Sequence, residues 1–155
     1  MAEQKAIAVG KKAKDFALKD HNGDEFRLSL FRGRRVLLSF HPLAWTSVCA
    51  QQMKDLEKNK KAFDKRNTVA VGLSVDSVPC KTAWAKHLKI SKTPLLADFW
   101  PHGQVAKSLG ILRAQGISER ANIIIDEKGK VMFVNVYPIK QLPDLQEIFQ
   151  ALQGK

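Results

Sequence analysis

The chain has 155 residues, a length that suits one domain over residues 1–155 able to bury roughly 68–70% of the surface its unfolded form exposes. Its 26 Lys and Arg against 15 Asp and Glu give a formal net charge of +11, but the basic residues are spread along the whole chain, so specific nucleic-acid binding is not predicted. Two cysteines do not make a disulfide scaffold, and no apolar run reaches the ~18 residues of a membrane span. Residues 1–5 lack the apolar centre of a secretion signal. We therefore expect a cytoplasmic protein that does not bind membranes.

Two short segments near the start of the chain predict a β-hairpin. Residues 15–19 and 25–28 alternate apolar with polar side chains on either side of His21-Asn22-Gly23-Asp24. The Asn-Gly pair supplies the left-handed positions of a tight turn. We expect His21, in this turn, to face solvent.

The next predicted unit is a buried strand followed by a helix. The apolar run 36–40 has strand length and is typical of a strand buried on both faces, and His41-Pro42 ends it because proline donates no hydrogen bond to a sheet. Thr46 or Ser47 can cap the helix that follows. A helix that begins there has Cys49 in its first turn. The apolar positions of this helix are predicted at Val48, Met53, Leu56 and Phe63.

A cysteine in the first turn of a helix has a chemical consequence. The unpaired amides and the positive end of the helix dipole favour the thiolate over the thiol, and the thiolate is the nucleophile. Cys49-Ala50-Gln51-Gln52 is not a Cys-x-x-Cys pair, so disulfide exchange within one turn is excluded. The alternative is that Cys49 is a small buried hydrophobic residue.

The later elements complete an α/β order. They are a central strand over 68–75, a helix begun by Ser77 and Pro79 that carries Cys80, a strand over 94–99, a short helix over 104–109, a hairpin of strands 121–125 and 131–136, and a last helix over 142–152. This order predicts a thioredoxin-like sandwich with an N-terminal β-hairpin extension. The start of the Cys49 helix then lies at the carboxyl end of its strand, where open sheets bind ligands.

The residues around Cys49 resemble a known family. Pro42-x-x-x-Thr46-x-x-Cys49 is similar to the signature of the peroxiredoxins, which are thiol peroxidases on a thioredoxin-like fold. The run Pro42-Leu43-Ala44-Trp45-Thr46 resembles the alkyl hydroperoxide reductase E-like branch, and His41-Pro42 the one-cysteine branch. The likeness extends from about Val9 to the end of the chain, which implies the peroxiredoxin fold for all of it.

The resemblance implies a role for each residue of the site. Cys49 would attack the terminal oxygen of a hydroperoxide and become a sulfenic acid. Arg120, 71 residues further on, resembles the arginine that opens the strand of the family's second motif and would hold thiolate and peroxide. Thr46 would offer its hydroxyl, and Pro42 would shield the sulfur from water. From the residues alone, Arg120 could be a surface charge and Thr46 only a helix cap.

Two further residues are candidates for supporting the site. His41 stands where the one-cysteine branch carries a histidine, although a polar residue at a strand end is often just a satisfied hydrogen-bonding group. Gln52 occupies a position that the family often fills with glutamate, so it is expected to support the reacting groups rather than react.

Cys80 leaves two reaction cycles open. Some peroxiredoxins place a resolving cysteine on this helix, but it usually stands about where Ala85 is here, and other members carry a bystander cysteine near a subunit contact. In the one-cysteine alternative, an external thiol or dithiol reductant, thioredoxin-like or similar, reduces Cys49.

Several other expectations complete the prediction. No glycine-rich phosphate loop or dinucleotide fingerprint occurs, and His87 and His102 lack metal-ligand spacing, so we expect no cofactor and no metal. The family places the neighbourhood of Trp45 near a dimer contact, which implies a homodimer. The function predicted is reduction of hydrogen peroxide and organic hydroperoxides. The alternative is a redox-sensing interaction protein or chaperone in which Cys49 senses oxidant.

Overall fold

The computed structural model describes residues 5–153, which contain a five-stranded sheet, a separate hairpin and five helices. The elements are, in chain order, β1 (Ala17–Lys19), β2 (Glu25–Arg27), a 3-10 helix (Leu28–Phe31), β3 (Arg35–Phe40), α1 (Ser47–Lys58), α2 (Lys60–Lys65), β4 (Thr68–Ser74), α3 (Val78–Leu88), β5 (Leu95–Ala97), α4 (Gln104–Ser108), β6 (Arg120–Ile125), β7 (Val131–Tyr137) and α5 (Leu145–Gln153). No helix in this part of the chain is long and apolar enough to span a bilayer.

The sheet has the strand order β5-β4-β3-β6-β7. β3, β4 and β5 run parallel, whereas β6 and β7 are antiparallel to their neighbours. All six residues of β3 are buried, as the apolar run 36–40 predicts for a strand covered on both faces, and all six residues of β6 are buried as well. With the antiparallel β1–β2 hairpin in front, this is the predicted thioredoxin-like sandwich with an N-terminal extension.

Side chains of β3 alternate between two cores. Val36, Leu38 and Phe40 pack with the hairpin and α4, while Leu37 packs on the other face with α1, α2, α3 and α5. Cys49 belongs to this second core, which places the sulfur between the sheet and its helices.

The helix that carries Cys49 is shorter than its apolar pattern predicts. It ends at Lys58, and α2 begins after Asn59, which has φ −100° and ψ 16°. The Asn59 side-chain amide donates to the Asp55 carbonyl oxygen (2.8 Å), and such local bonds compete with helix continuation. Phe63, on α2, still reaches the core.

The prediction that His21 faces solvent is wrong. Its side chain is buried, and Nδ1 accepts a hydrogen bond from the Leu95 amide (3.2 Å) on the edge strand β5. The hydroxyl of Thr82 on α3 donates to the His21 carbonyl oxygen (2.7 Å). The hairpin turn therefore folds onto the sheet edge, and burial lowers the pKa of His21.

Candidate active site

The site lies at the carboxyl end of β3, where the chain turns into α1. Cys49 is the third residue of α1 and is fully buried. Between strand and helix, Trp45 adopts the left-handed conformation (φ 68°), which is uncommon for a residue with a side chain of this size and marks a tightly constrained loop. The predicted position of Cys49 in the first turn of a helix is confirmed.

Strand pairing delivers Arg120 to the same place. Phe40 on β3 is paired with Ala121 on β6, so Arg120 stands level with the residue that follows β3. Its Nη1 lies 3.4 Å from Cys49 Sγ, and its side chain is 3% exposed. The interpretation of Arg120 as a surface charge is thus wrong, because the structure places the guanidinium against the sulfur.

The other partners of Arg120 are uncharged. Nη1 also donates to Gln52 Oε1 (2.7 Å), and Nε donates to the Ile139 carbonyl oxygen (2.8 Å). Within residues 5–153, none of the ion pairs involves Arg120. A buried charge is costly unless it is paired, and the group that this unpaired guanidinium lies against is the Cys49 sulfur.

Gln52 fixes the direction of the guanidinium. It is buried, one turn along α1 from Cys49, and its amide nitrogen donates to Ser39 Oγ (2.8 Å) and to the Phe40 carbonyl oxygen (3.1 Å). With both donors used on β3, its oxygen is left for Arg120. Gln52 therefore lies where a supporting residue is expected.

Thr46 precedes α1, but its side chain does not cap the helix. Its hydroxyl donates to the Leu43 carbonyl oxygen (2.9 Å) within the loop, and no side chain among the described residues accepts from the first amides of α1. The predicted side-chain cap by Thr46 or Ser47 is wrong. As a consequence, the helix N-terminus keeps its donors for a ligand or for the sulfur.

A cleft of about 290 Å³ opens in front of Cys49. Its walls are mostly apolar, with the hydroxyl of Thr46 and the guanidinium of Arg120 as polar groups beside the sulfur. The lining residues are Pro42, Leu43, Thr46, Ser47, Val48, Cys49, Ile117, Arg120, Ile139 and Lys140. Such a cleft can bind a small molecule that has a polar group at one end and is otherwise apolar.

His41 is not among the residues that line the cleft. It is fully buried, with Nε2 2.7 Å from Nζ of Lys81 on α3 and its ring 5.3 Å from that of Trp84. Burial, followed by the charge of Lys81, holds the pKa of His41 well below its usual value. Lys81 is also fully buried, and burial lowers its pKa to about 7. The sequence analysis did not single out Lys81.

Cys80 is a free thiol, as is Cys49. Its Sγ lies 3.7 Å from Asp76 Oδ1, and burial, followed by the Asp76 charge, raises its pKa. The other Asp76 oxygen accepts hydrogen bonds from the Ala44 amide (2.8 Å) and the Ser74 hydroxyl (2.5 Å). Asp76 thereby connects Cys80 with the loop that precedes Cys49.

A sulfur held at a helix N-terminus against a buried guanidinium, on a thioredoxin-like sandwich, defines the class of thiol peroxidases. The chain belongs to the AhpC/TSA family, whose model matches residues 9–134. Within residues 5–153, no group of three or more His, Cys, Asp and Glu side chains is placed to hold a metal ion.

Known proteins of this kind resemble the chain over most of its length. Alkyl hydroperoxide reductase E of Mycobacterium tuberculosis (strain H37Rv) is 35% identical over 132 residues, which cover 84% of this chain and 86% of that protein. Peroxiredoxin 2 of Sulfurisphaera tokodaii is 31% identical, covering 99% of this chain and 75% of that protein.

The fold is similar to solved structures as well. The reduced 2-Cys peroxiredoxin of Plasmodium vivax gives a TM-score of 0.85 at 31% identity, covering 94% of this chain and 80% of that one. Peroxidoxin BcpB of Mycobacterium tuberculosis gives 0.82 at 25% identity, covering 99% and 98%. The predictions of the peroxiredoxin family, its fold and a thiol-dependent peroxidase are confirmed, and the redox-sensor alternative is not favoured.

Proposed function

We propose that the protein reduces hydrogen peroxide and organic hydroperoxides through a sulfenic acid on Cys49. The observation that carries this proposal is the 3.4 Å contact between Arg120 Nη1 and Cys49 Sγ inside a buried site. A guanidinium in that position favours the thiolate and offers further donors to a peroxide that enters the cleft. The apolar walls of the cleft support organic hydroperoxides as substrates alongside hydrogen peroxide.

The reaction follows from these positions. The Cys49 thiolate attacks the terminal peroxide oxygen, the sulfur–oxygen bond forms and the oxygen–oxygen bond breaks. The electron pair goes to the departing oxygen, which takes a proton and leaves as water or an alcohol. Arg120 and the Thr46 hydroxyl lie at the cleft and stabilise the charge that develops there. Pro42 lines the same cleft as Cys49 and has the role of shielding the sulfur from water in this mechanism, and Gln52 accepts a hydrogen bond from the guanidinium and keeps it directed at the sulfur.

We also propose that an external thiol, from a thioredoxin-like or similar reductant, returns Cys49 to its reduced form. The thiol attacks the sulfenic acid with loss of water, and a second thiol then releases Cys49 from the mixed disulfide. The raised pKa of Cys80 supports this cycle over one in which Cys80 resolves, because a thiol that keeps its proton is a poor nucleophile.

The remaining proposals concern the whole protein. We propose one peroxidase domain over residues 1–155, a cytoplasmic location and a homodimer, without specific nucleic-acid or membrane partners. The exposed side chains of Leu43, Trp45, Phe99 and Trp100 support self-association. We propose that His41 supports the loop before Cys49 from the protein interior, because it is buried beside Lys81 and does not line the cleft.

Mixing reduced protein with one equivalent of peroxide tests the chemistry. We expect rapid gain of one oxygen on Cys49 by mass and a parallel change of tryptophan fluorescence, both lost in Cys49→Ser. Arg120→Ala should slow the step by roughly 100-fold or more, because a donor to the developing charge is removed.

The control for this experiment is Cys80→Ser, which should oxidise at the wild-type rate. A persistent sulfenic acid in the wild type supports the external reductant, whereas a Cys49–Cys80 disulfide mapped on peptides would assign resolution to Cys80. Oxidation that survives Cys49→Ser would refute the proposed function.

A further inference from the structure

The interior beside the site holds two basic side chains in direct contact. Lys81 of α3 and His41, which follows β3, are both fully buried, with Nζ 2.7 Å from Nε2. Both pack on Trp84, whose ring lies 5.4 Å from Lys81 Nζ. Burying an ammonium group is among the costliest placements in a folded protein. A lysine kept there, against a tryptophan that shares its core with Cys49, indicates a contribution to function.

Charged and titratable groups face this pair from several elements. Burial disfavours the ammonium of Lys81, whereas Asp76, Cys49 and Cys80, in decreasing order, favour it. Lys81 and Arg120 both disfavour a charge on His41, and Lys81 also disfavours a charge on His21. The net result is a Lys81 pKa of about 7. Near neutral pH Lys81 is therefore only partly protonated, and any proton that the pair binds lies on Lys81, with His41 as the neutral acceptor.

The interaction of Lys81 with Cys49 is reciprocal. If an anionic Cys49 makes Lys81 easier to protonate, a protonated Lys81 must favour the anionic sulfur to the same extent. Asp76 does not cancel this effect by ion pairing, because its oxygens are engaged by Ala44, Ser74 and Cys80 and none of the ion pairs in the described part of the chain involves Lys81.

We propose that Lys81, held by His41, is a positioning residue for the peroxidase reaction: its buried ammonium is a second positive charge, besides Arg120, that favours the Cys49 thiolate. The proposal rests on the proposed function, in which that thiolate is the nucleophile. It also assigns a role to His41, which accepts the ammonium hydrogen bond and keeps Lys81 charged.

The pair also changes during the reaction. Attack of the thiolate on the peroxide leaves a neutral sulfenic acid, while the departing oxygen takes a proton from solvent. Once the negative sulfur is gone, Lys81 loses one of the groups that favour its protonated form, and Asp76 remains. Oxidation of Cys49 thus makes the pair release a proton more readily, which partly offsets the proton consumed by the departing oxygen.

Two substitutions remove the charge in different ways. Lys81→Met replaces the ammonium by an apolar side chain of similar length, so the variant should fold at least as well as the wild type. His41→Phe keeps an aromatic ring against Trp84 and removes the acceptor of the ammonium. Lys86→Met, on the exposed side of α3, is the matched control. All are made with Cys80→Ser, so that Cys49 is the only thiol.

The measurement is the ultraviolet absorbance of the thiolate across pH, followed by the rate with hydrogen peroxide over the same range. We expect the thiolate-to-thiol ratio of Cys49 at a fixed pH to fall roughly threefold in both variants, the size of a charge interaction across a partly screened interior. The rate of Cys49 oxidation should fall by the same factor at low pH. It should be unchanged on the high-pH plateau, where all of Cys49 is thiolate and the rate no longer depends on pH. Lys86→Met should leave both unchanged.

Nuclear magnetic resonance of lysine labelled at Cε tests the reverse direction. One resonance should titrate near the pKa of about 7, should vanish in Lys81→Met, and should titrate at lower pH in Cys49→Ser. An unchanged thiolate ratio in both variants, or a rate loss confined to the plateau, would overturn this inference while wild-type activity upholds the proposed function. A wild type that does not react with peroxide would instead refute the proposed function.

Discussion

At the scale of single residues, the direction of the Arg120 guanidinium depends on Gln52. Gln52→Ala removes the acceptor of Nη1 and leaves the Ser39 hydroxyl and the Phe40 carbonyl oxygen without this partner. We expect a loss of about 1–3 kcal/mol in the free energy of unfolding, since buried polar groups become unpaired. The rate of Cys49 oxidation should fall roughly 10- to 100-fold, because small misplacements of a charge-stabilising group are costly.

The neighbouring residue supplies the control for this prediction. Gln51 lies on the exposed side of α1, and its side-chain amide donates to Asp55 Oδ1 at the surface (2.8 Å), so Gln51→Ala should leave the oxidation rate unchanged. Denaturant unfolding and stopped-flow oxidation of both variants check the expectation. Equal rates for Gln52→Ala and Gln51→Ala would show that Gln52 does not position Arg120.

Most residues of the site were predicted from the resemblance of two motifs to those of the peroxiredoxins. Pro42, Thr46 and Cys49 form one motif, and Arg120 opens a strand whose pairing with β3 brings it to the sulfur. Lys81 was missed because a lysine in a helix is by default a surface residue. The signal was present, however, since Lys81 shares a helix face with Trp84 and Ala85, and both are buried.

At the scale of elements, Asp76 joins the loop before α1 to the first turn of α3. One carboxylate oxygen accepts from the Ala44 amide, and the other lies against Cys80 Sγ. Asp76→Asn keeps an oxygen for the amide but removes the charge that, after burial, raises the pKa of Cys80. We therefore expect Cys80 to be alkylated several-fold faster at mildly alkaline pH, because more of it is thiolate.

Alkylation is measured by mass with Cys49→Ser as the background, so that Cys80 is the only thiol. Asp24→Asn, in the exposed hairpin turn, is the matched control and should react at the background rate. If Cys80 is alkylated equally fast in the Asp76→Asn and Asp24→Asn variants, burial alone accounts for the raised pKa of Cys80.

The elements themselves were largely predictable, for reasons of burial pattern. β3 and β6 are buried along their whole length and mostly apolar, because helices cover one face and the hairpin and α4 cover the other. The break at Asn59 and the packing of His21 on β5 were not predictable, because each depends on a hydrogen bond that residue patterns do not encode. The Asn59 bond is local and competes with the helix, whereas the His21 bond is tertiary and overrides the local preference of a turn residue for solvent.

At the scale of the whole molecule, exposed aromatic side chains stand out on a strongly basic protein. Trp100 is 80% exposed, and Phe99 and Trp45 are each 52% exposed. Large apolar groups on a surface indicate a contact with another molecule, and a net charge of +11 would otherwise keep copies apart. The exposed aromatic side chains therefore support the proposed homodimer, in which burial of these groups would have to outweigh the charge repulsion.

Trp100→Ser tests this assembly. Tryptophans at the centre of interfaces commonly contribute about 2 kcal/mol or more, so the dissociation constant of the homodimer should rise roughly 30-fold. Leu30→Ser removes another exposed apolar side chain, 76% exposed in the 3-10 helix, and should leave the dissociation constant unchanged. Sedimentation velocity over a concentration series at moderate salt gives the constants. A monomeric wild type would rule out the homodimer, because the aromatic side chains would then remain exposed in solution. Dissociation caused by Leu30→Ser but not by Trp100→Ser would place the interface elsewhere on the surface.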